Sequence, residues 1–308
     1  MFNLTEFIHS KRPSLSAGSL KTYHSTISNL FKALYPDKTI SETTIKELND
    51  APNVIKWLKA NKTEASRKPV LSALAVIFNN DAFRGQLLVD AKALKKDLDK
   101  QEMAPKTEDN WVSQKEIAQK LTELKKLADA EYKSAQPDLQ QIQLYIILVL
   151  LGSKYIQPRR AKDYTDFKIR NVTDTDNYID KGEMVFNSFK TAKTAGQQRI
   201  EIPKTLKTIL NKWIKKNPTE WLLFDNNGQQ LSSPQLNQRL NKIFGSTSGK
   251  SVNMMRHSFL TEKYGDGIQK KKDLVNDMKA MGSSITEAKF YIESQKGHNG
   301  PPPPNGYK

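Results

Sequence analysis

The chain has 308 residues, the length of about two domains. It carries 49 Lys+Arg against 33 Asp+Glu, a net charge of +16, with no cysteine and four histidines. That composition excludes a disulfide scaffold, a Cys-ligated zinc site, an iron–sulfur cluster and thiol catalysis, and favours a polyanionic partner. The histidines (His9, His24, His257, His298) are scattered, so no His-rich metal site is expected. Mean hydropathy is −0.65. The longest apolar run, Leu144–Gly152, is far short of the roughly 20 residues that span a bilayer. The opening segment MFNLTEFIHSKRP lacks the basic and apolar regions of a secretory signal, so an intracellular, non-secreted protein is expected.

Taken in chain order, the N-terminal part reads as helices. Leu20, Tyr23, Ile27, Leu30, Phe31 and Leu34 recur at helical spacing after a Ser-rich loop. A segment over 41–48 begins with a Ser cap, and 54–60 is a short helix. Residues 64–78 place Val70, Leu71, Leu74 and Phe78 on one stripe, and 82–98 do the same with Leu87, Leu88, Leu94 and Leu98. These stripes read as core. Residues 101–112 are polar, contain Pro105 and break the period, which marks a linker. Ser113 with Glu116 forms a capping-box pattern opening a helix to 130. Residues 139–152 are apolar nearly all round, as in a buried central helix.

The texture then changes. Residues 167–172, 184–189 and 198–202 read as short strands, with loops at 173–177 and 191–197. Helices follow over 204–217, 235–244, about 255–264, 270–280 and 284–293. The end, 297–308, holds four consecutive prolines and reads as a disordered tail. Residues 1–100 carry 16 basic and 10 acidic side chains, and residues 101–308 carry 33 and 23. Both parts are basic, which suggests that both touch nucleic acid. The bland alternative is a Lys-rich solvated surface. Membrane binding is disfavoured, because the densest basic run is only Lys270-Lys271-Lys272.

Four segments carry chemistry. Gln157-Pro-Arg159-Arg160-Ala-Lys-Asp163-Tyr164 directly follows the apolar helix, and an Arg three residues before an Asp can be held rigid by that carboxylate. Ser188-Phe-Lys190-Thr-Ala-Lys193 reads as a hairpin tip carrying lysines. Asn253-Met-Met-Arg256-His257-Ser-Phe-Leu-Thr261 opens a helix. Met281-Gly-Ser283-Ser-Ile-Thr-Glu-Ala-Lys-Phe-Tyr291 comes last.

This order resembles the tyrosine recombinase, or phage integrase, family over about residues 13–293. RHSFLT is similar to the family's RHTFAT, LLGSKYIQPRRAKDY to its Arg-x-x-Glu box, and MGSSITEAKFY to its LGH…Tyr box. The segment LSAGSLKTYHSTISNLFKAL is similar to the start of the family's core-binding domain, and LLFDNNGQQLSSPQLNQRLNKIF fits the stretch before its second Arg. The Gln-Pro-Arg-Arg-x-x-Asp-Tyr form looks more like recombinases of large DNA viruses, virophages and mobile elements than like bacterial resolvases. Two positions depart from the pattern: Asn253 and Ser283 stand where the family usually has imidazoles (His in the first, His or Trp in the second).

The resemblance implies a mainly α fold with a small antiparallel sheet, arranged as a two-domain clamp on duplex DNA. The helical core-binding domain would span 1–100 and the catalytic domain 113–296. It implies viral genome or mobile-element integration by transesterification, with no metal, ATP or other cofactor. Tyr291 would attack phosphorus and form a 3′-phosphotyrosyl bond. Arg160 and Arg256 would stabilise the charge on the non-bridging oxygens, since a guanidinium forks two N–H groups and never deprotonates. Lys190 would protonate the leaving 5′-oxygen. A free tyrosine, with a pKa of about 10, needs neighbouring cations to act near neutrality. His257, Asn253, Ser283 and Asp163 would support these groups. Arg159, Lys193, Lys21, Arg67 and Lys68 are candidate phosphate contacts, with Arg159 and Lys193 as rivals for the roles of Arg160 and Lys190. The chain would be a monomer when free and a homotetramer on DNA, with no membrane or small-molecule partner. It would act where its DNA lies, in a host nucleus or a cytoplasmic viral factory. The alternatives are a type IB topoisomerase and a catalytically degenerate DNA-binding protein.

Overall fold

The computed structural model describes residues 2–100, 103 and 105–280. The chain divides into two compact units, Met1–Ala104 and Pro105–Lys308. The described residues are mainly helical, with one small antiparallel sheet.

The first unit contains α1 (Leu4–Lys11), α2 (Ala17–Leu34), a 3-10 turn (Thr44–Asn49), α3 (Ala51–Asn61), α4 (Glu64–Phe78) and α5 (Asp81–Lys100). Short polar side chains set the helix starts. The Asn3 carboxamide caps α1, Ser16 accepts from Ser19 N–H at α2, and Thr63 accepts from Ser66 N–H at α4. Asn79, in the left-handed region at φ 53°, ends α4. The core gathers Ile27 and Phe31 of α2, Leu58 of α3, Leu71 and Leu74 of α4, and Phe83 of α5.

The α5 stripe departs from expectation. Leu88 and Leu98 are 71% and 75% exposed, not core. Leu87 does pack against the first core, and the rest of the inward face of α5 is built on Phe83 and on Asp90, 1% exposed, which receives Arg67 from α4. Periodicity counts apolar residues, so it passes over a buried ion pair.

The second unit begins earlier than composition suggests. Residues assigned to the linker form α6 (Pro105–Asp109), and Val112 is fully buried in the second core. α7 (Gln114–Glu131) starts at Ser113, whose hydroxyl accepts from Glu116 N–H. Both halves of a capping box form at Ser232 and Gln235, at the start of α12 (Ser233–Ile243). α8 (Leu139–Leu151) is the expected buried helix, with α7, α11 (Lys204–Lys216), α12 and α13 (Val252–Ala280) packed against it. Its buried Gln143 clips the chain at Phe224, accepting from the backbone N–H and donating to the carbonyl, both at 2.8 Å.

The sheet has the order β1–β2–β3, from Tyr178–Asp180, Glu183–Phe186 and Gln198–Glu201. Tyr178 pairs with Val185, and Val185 with Arg199. The expected strand over 167–172 is absent. That segment makes only isolated bridges, Phe167 to Asn177 and Lys168 to Trp221, because α9 (Ala161–Thr165) delivers Phe167 straight into the core. The connection from β2 to β3 is not a bare hairpin tip but contains a short helix, α10 (Ala192–Ala195). The segments expected as helices at 255–264 and 270–280 are one continuous α13. The expected helix over 284–293 and the Pro-rich tail lie outside the described residues.

Candidate functional site

The second unit gathers three of the four chemical segments. α8 ends at Gly152, where an added Cβ would lie 2.6 Å from the Leu148 carbonyl oxygen. Ser153 follows in the left-handed region at φ 62°. The chain bends through 152–156 and reaches Arg160, the extended N-cap of α9, whose carbonyl accepts from Asp163 N–H.

Asp163 is 2% exposed, and it holds Arg159, not Arg160. Arg159 Nε donates to Asp163 Oδ2 at 2.9 Å, and Nη1 donates to Gln198 Oε1 at 2.8 Å. The Arg159 guanidinium lies over the Phe186 ring at 3.9 Å and near the Phe189 ring at 5.2 Å. The i+3 expectation is therefore corrected to i+4. Position 160 caps the helix, and its side chain leaves from an extended backbone, while Arg159 faces back over the helix. The Arg160 guanidinium has no hydrogen-bond or ion-pair partner among the described residues.

Arg256 stands in the first turns of α13. Its Nη1 is 3.5 Å from Asn253 Oδ1, at the limit of a hydrogen bond. Asn253 is not the helix cap, because Ser251 precedes α13 and its hydroxyl accepts from Met254 N–H. Arg159, Arg160, Asp163 and Arg256 line one cavity of about 310 Å³, with Phe189 and Thr191 on its wall. Three guanidiniums thus face one carboxylate, so the cavity is set for an anion. Burial pushes the Asp163 carboxyl above its usual range, against the pull of Arg159 and Arg160. Its Oδ1 is buried and has no hydrogen-bond partner among the described residues.

Lys190 is exposed between the two wall residues Phe189 and Thr191 but does not itself line the cavity. Lys193 is exposed on α10. His257, expected to support the catalytic groups, is exposed and does not line the cavity. Its neighbour Ser258 is fully buried and accepts from Gln114 Nε2 at 2.7 Å, and Ser153 Oγ donates to Gln114 Oε1 at 2.6 Å. This relay fixes the start of α13 against α7 and the end of α8. Nothing in the sequence marks Gln114 for that role.

In the first unit, Lys21 and Lys68 are exposed, as phosphate contacts require. Arg67 is not: it is 6% exposed and bound to Asp90, Glu64 and the Lys62 carbonyl. Tyr291 and Ser283 lie outside the described residues. Among the described residues, no group of three or more His, Cys, Asp or Glu could hold a metal ion, and no helix is long and apolar enough to cross a membrane.

No profile of a known protein family matches the chain, and no curated protein matches it. Solved structures of site-specific recombinases are similar to it. XerH recombinase bound to palindromic difH substrate in a post-cleavage complex is 15% identical, with a TM-score of 0.43, covering 90% of this chain and 75% of that one. XerH in a pre-cleavage complex with difH gives the same values. XerA recombinase is 14% identical, with a TM-score of 0.33, covering 86% of this chain and 84% of that one. Likeness at these values assigns this chain no activity.

Proposed function

We propose that the chain is a DNA strand transferase of the tyrosine recombinase type, cutting and rejoining duplex DNA through a covalent tyrosyl intermediate. What supports this is the convergence of Arg160 and Arg256, far apart in sequence, on one anion-ready cavity. A phosphodiester in that cavity would meet two guanidiniums on its non-bridging oxygens. Each such preorganised donor is worth about 10²–10³ in rate, by analogy with oxyanion holes. Arg159, locked by Asp163 and Phe186, forms the wall behind them. Lys190 is the acid for the 5′-oxygen, and Tyr291 is the nucleophile. Asn253, at the rim of the Arg256 guanidinium, takes the place of an imidazole in orienting it. Both units bear a positive excess, so both are proposed to contact DNA as a clamp, with assembly of four chains on the recombining sites. A role in viral or mobile-element integration belongs to the same proposal and rests on the Gln157–Tyr164 segment.

The test is a labelled duplex nicked near a candidate site from the termini of the protein's own genome. The nick lets the cleaved fragment diffuse away and traps the adduct. An SDS-resistant, protease-sensitive band that disappears in Tyr291→Phe establishes tyrosine transesterification. Retained DNA binding with no band on this or any random-sequence duplex assigns the chain to DNA binding without catalysis. Relaxation of supercoiled plasmid without strand exchange assigns it to topoisomerase chemistry.

A further inference from the structure

Asn177 is fully buried just before β1, and every bond its carboxamide makes is to backbone of another segment. Its Nδ2 donates to the carbonyls of Asp163, at 3.2 Å, and Ser188, at 2.9 Å. Its Oδ1 accepts from the N–H groups of Asn187, at 2.9 Å, and Ser188, at 2.8 Å. One amide therefore spans two segments. One is α9, whose Asp163 carboxylate holds Arg159. The other is Asn187-Ser188, just past β2, ending two residues before Lys190. A further layer closes the loop over 188–196 at its base. Asn187 Nδ2 donates to the Asp176 carbonyl at 2.8 Å, and Gln197 Nε2 donates to Asn187 Oδ1 at 2.8 Å.

Lys190 itself is exposed and has no partner among the described residues. A lysine on a four-carbon stem finds its place through the backbone that carries it. That backbone is fixed by Asn177, and Phe189 beside Lys190 rests near the Arg159 guanidinium.

We propose that Asn177 is a positioning residue that holds the Lys190 loop in register with the arginine turn, so that the lysine reaches the leaving oxygen. This rests on the recombinase reading above. In the cleavage step the bond from the Tyr291 oxygen to phosphorus forms and the bond from phosphorus to the 5′-oxygen breaks. The tyrosine gives its proton to water, and Lys190 as ammonium gives one to the departing oxygen. An amide suits position 177 because the task needs two donors and an acceptor in one plane. Aspartate keeps the shape and loses the donors.

The experiment compares two nicked duplexes on which the wild-type chain forms its adduct, one with oxygen and one with sulfur at the bridging 5′-position. A thiolate leaves without a proton, so acid catalysis matters only for oxygen. Wild type, Lys190→Ala, Asn177→Asp and Asn187→Ala are measured at single turnover, with DNA affinity determined separately. Asn187 is only half-buried, so its variant covers the case in which Asn177→Asp does not fold. Lys190→Ala and Asn177→Asp should slow the oxygen duplex by about 10²-fold, the scale of general acid catalysis. Asn187→Ala should slow it less, and all three should cleave the sulfur duplex within a few-fold of wild type, with affinity unchanged. Equal slowing on both duplexes in the Asn177 and Asn187 variants overturns the proposal, because the residue then supports the fold and not the acid. So does full activity of these variants on oxygen. If Lys190→Ala is itself slowed equally on both, Lys190 is not the acid and the positioning role falls with it. If the wild type forms no adduct on any duplex, the recombinase reading fails first and there is no acid to position.

Discussion

Replacing Arg67 by methionine removes a cation that the fold has turned inward. The guanidinium donates to both Asp90 oxygens at 2.9 Å, to the Lys62 carbonyl at 2.7 Å and to Glu64 at 3.1 Å. Without it, the Asp90 carboxylate stays 1% exposed with Gln86 Nε2 as its remaining donor. An orphaned buried charge of this kind costs about 3–5 kcal/mol. A unit of this size has a total stability of about 5–15 kcal/mol and loses roughly 4–8 °C per kcal/mol. Arg67→Met should therefore lower the melting of the first unit by about 12 °C or more. The double variant Arg67→Met/Asp90→Leu should recover most of that loss, because both charges leave together. The assay is urea and thermal unfolding of the full chain by circular dichroism, with amide exchange in α4 and α5 locating the transition. DNA affinity against salt is measured alongside. If Arg67 were a phosphate contact, unfolding would be unchanged, and the slope of log K against log salt would shrink by about 0.9. That pair of results would refute the buried-pair assignment.

Three more outcomes are expected. Arg160→Ala and Arg256→Ala should each slow adduct formation by at least about 10²-fold while DNA binding stays measurable, read by gel shift and single-turnover trapping. DNA affinity of the wild type should fall linearly in log K against log salt, and a flat response would remove the two-unit clamp from consideration. The hydrogen bond from Arg67 holds the Asp90 carboxyl below its usual range. Its contribution to stability is therefore complete above the unfolded carboxylate value of about 4, and is lost as pH falls through the lowered folded value. Asp90→Asn should flatten the acid limb of the unfolding curve, and an unaltered limb would place the acid sensitivity elsewhere.

The helices of the first unit, the buried α8, and the chain order of arginine turn, lysine loop and second arginine helix are legible in the amino-acid pattern alone. Those features are local. An apolar period, a short polar cap or a charged tripeptide is legible because neighbours in sequence are neighbours in space. The strands at 184–186 and 198–201 were legible for the same reason. Which partner each polar side chain meets is set by packing between distant segments. Arg67 looked like a surface cation and is buried, because Asp90 arrives from the next helix. Arg160 looked held by Asp163, but the extended backbone at its cap position turns Arg159 to that carboxylate instead. The 167–172 segment has strand-forming residues, yet Phe167 is taken by the core before a ladder can form. Gln114 and Asn177 carry no local signature, because a buried amide acquires its role only when its donors and acceptors meet backbone from distant segments. Such groups are costly to bury unpaired. Their placement is therefore settled by the packing that brings the partners together and not by the residues beside them in the chain.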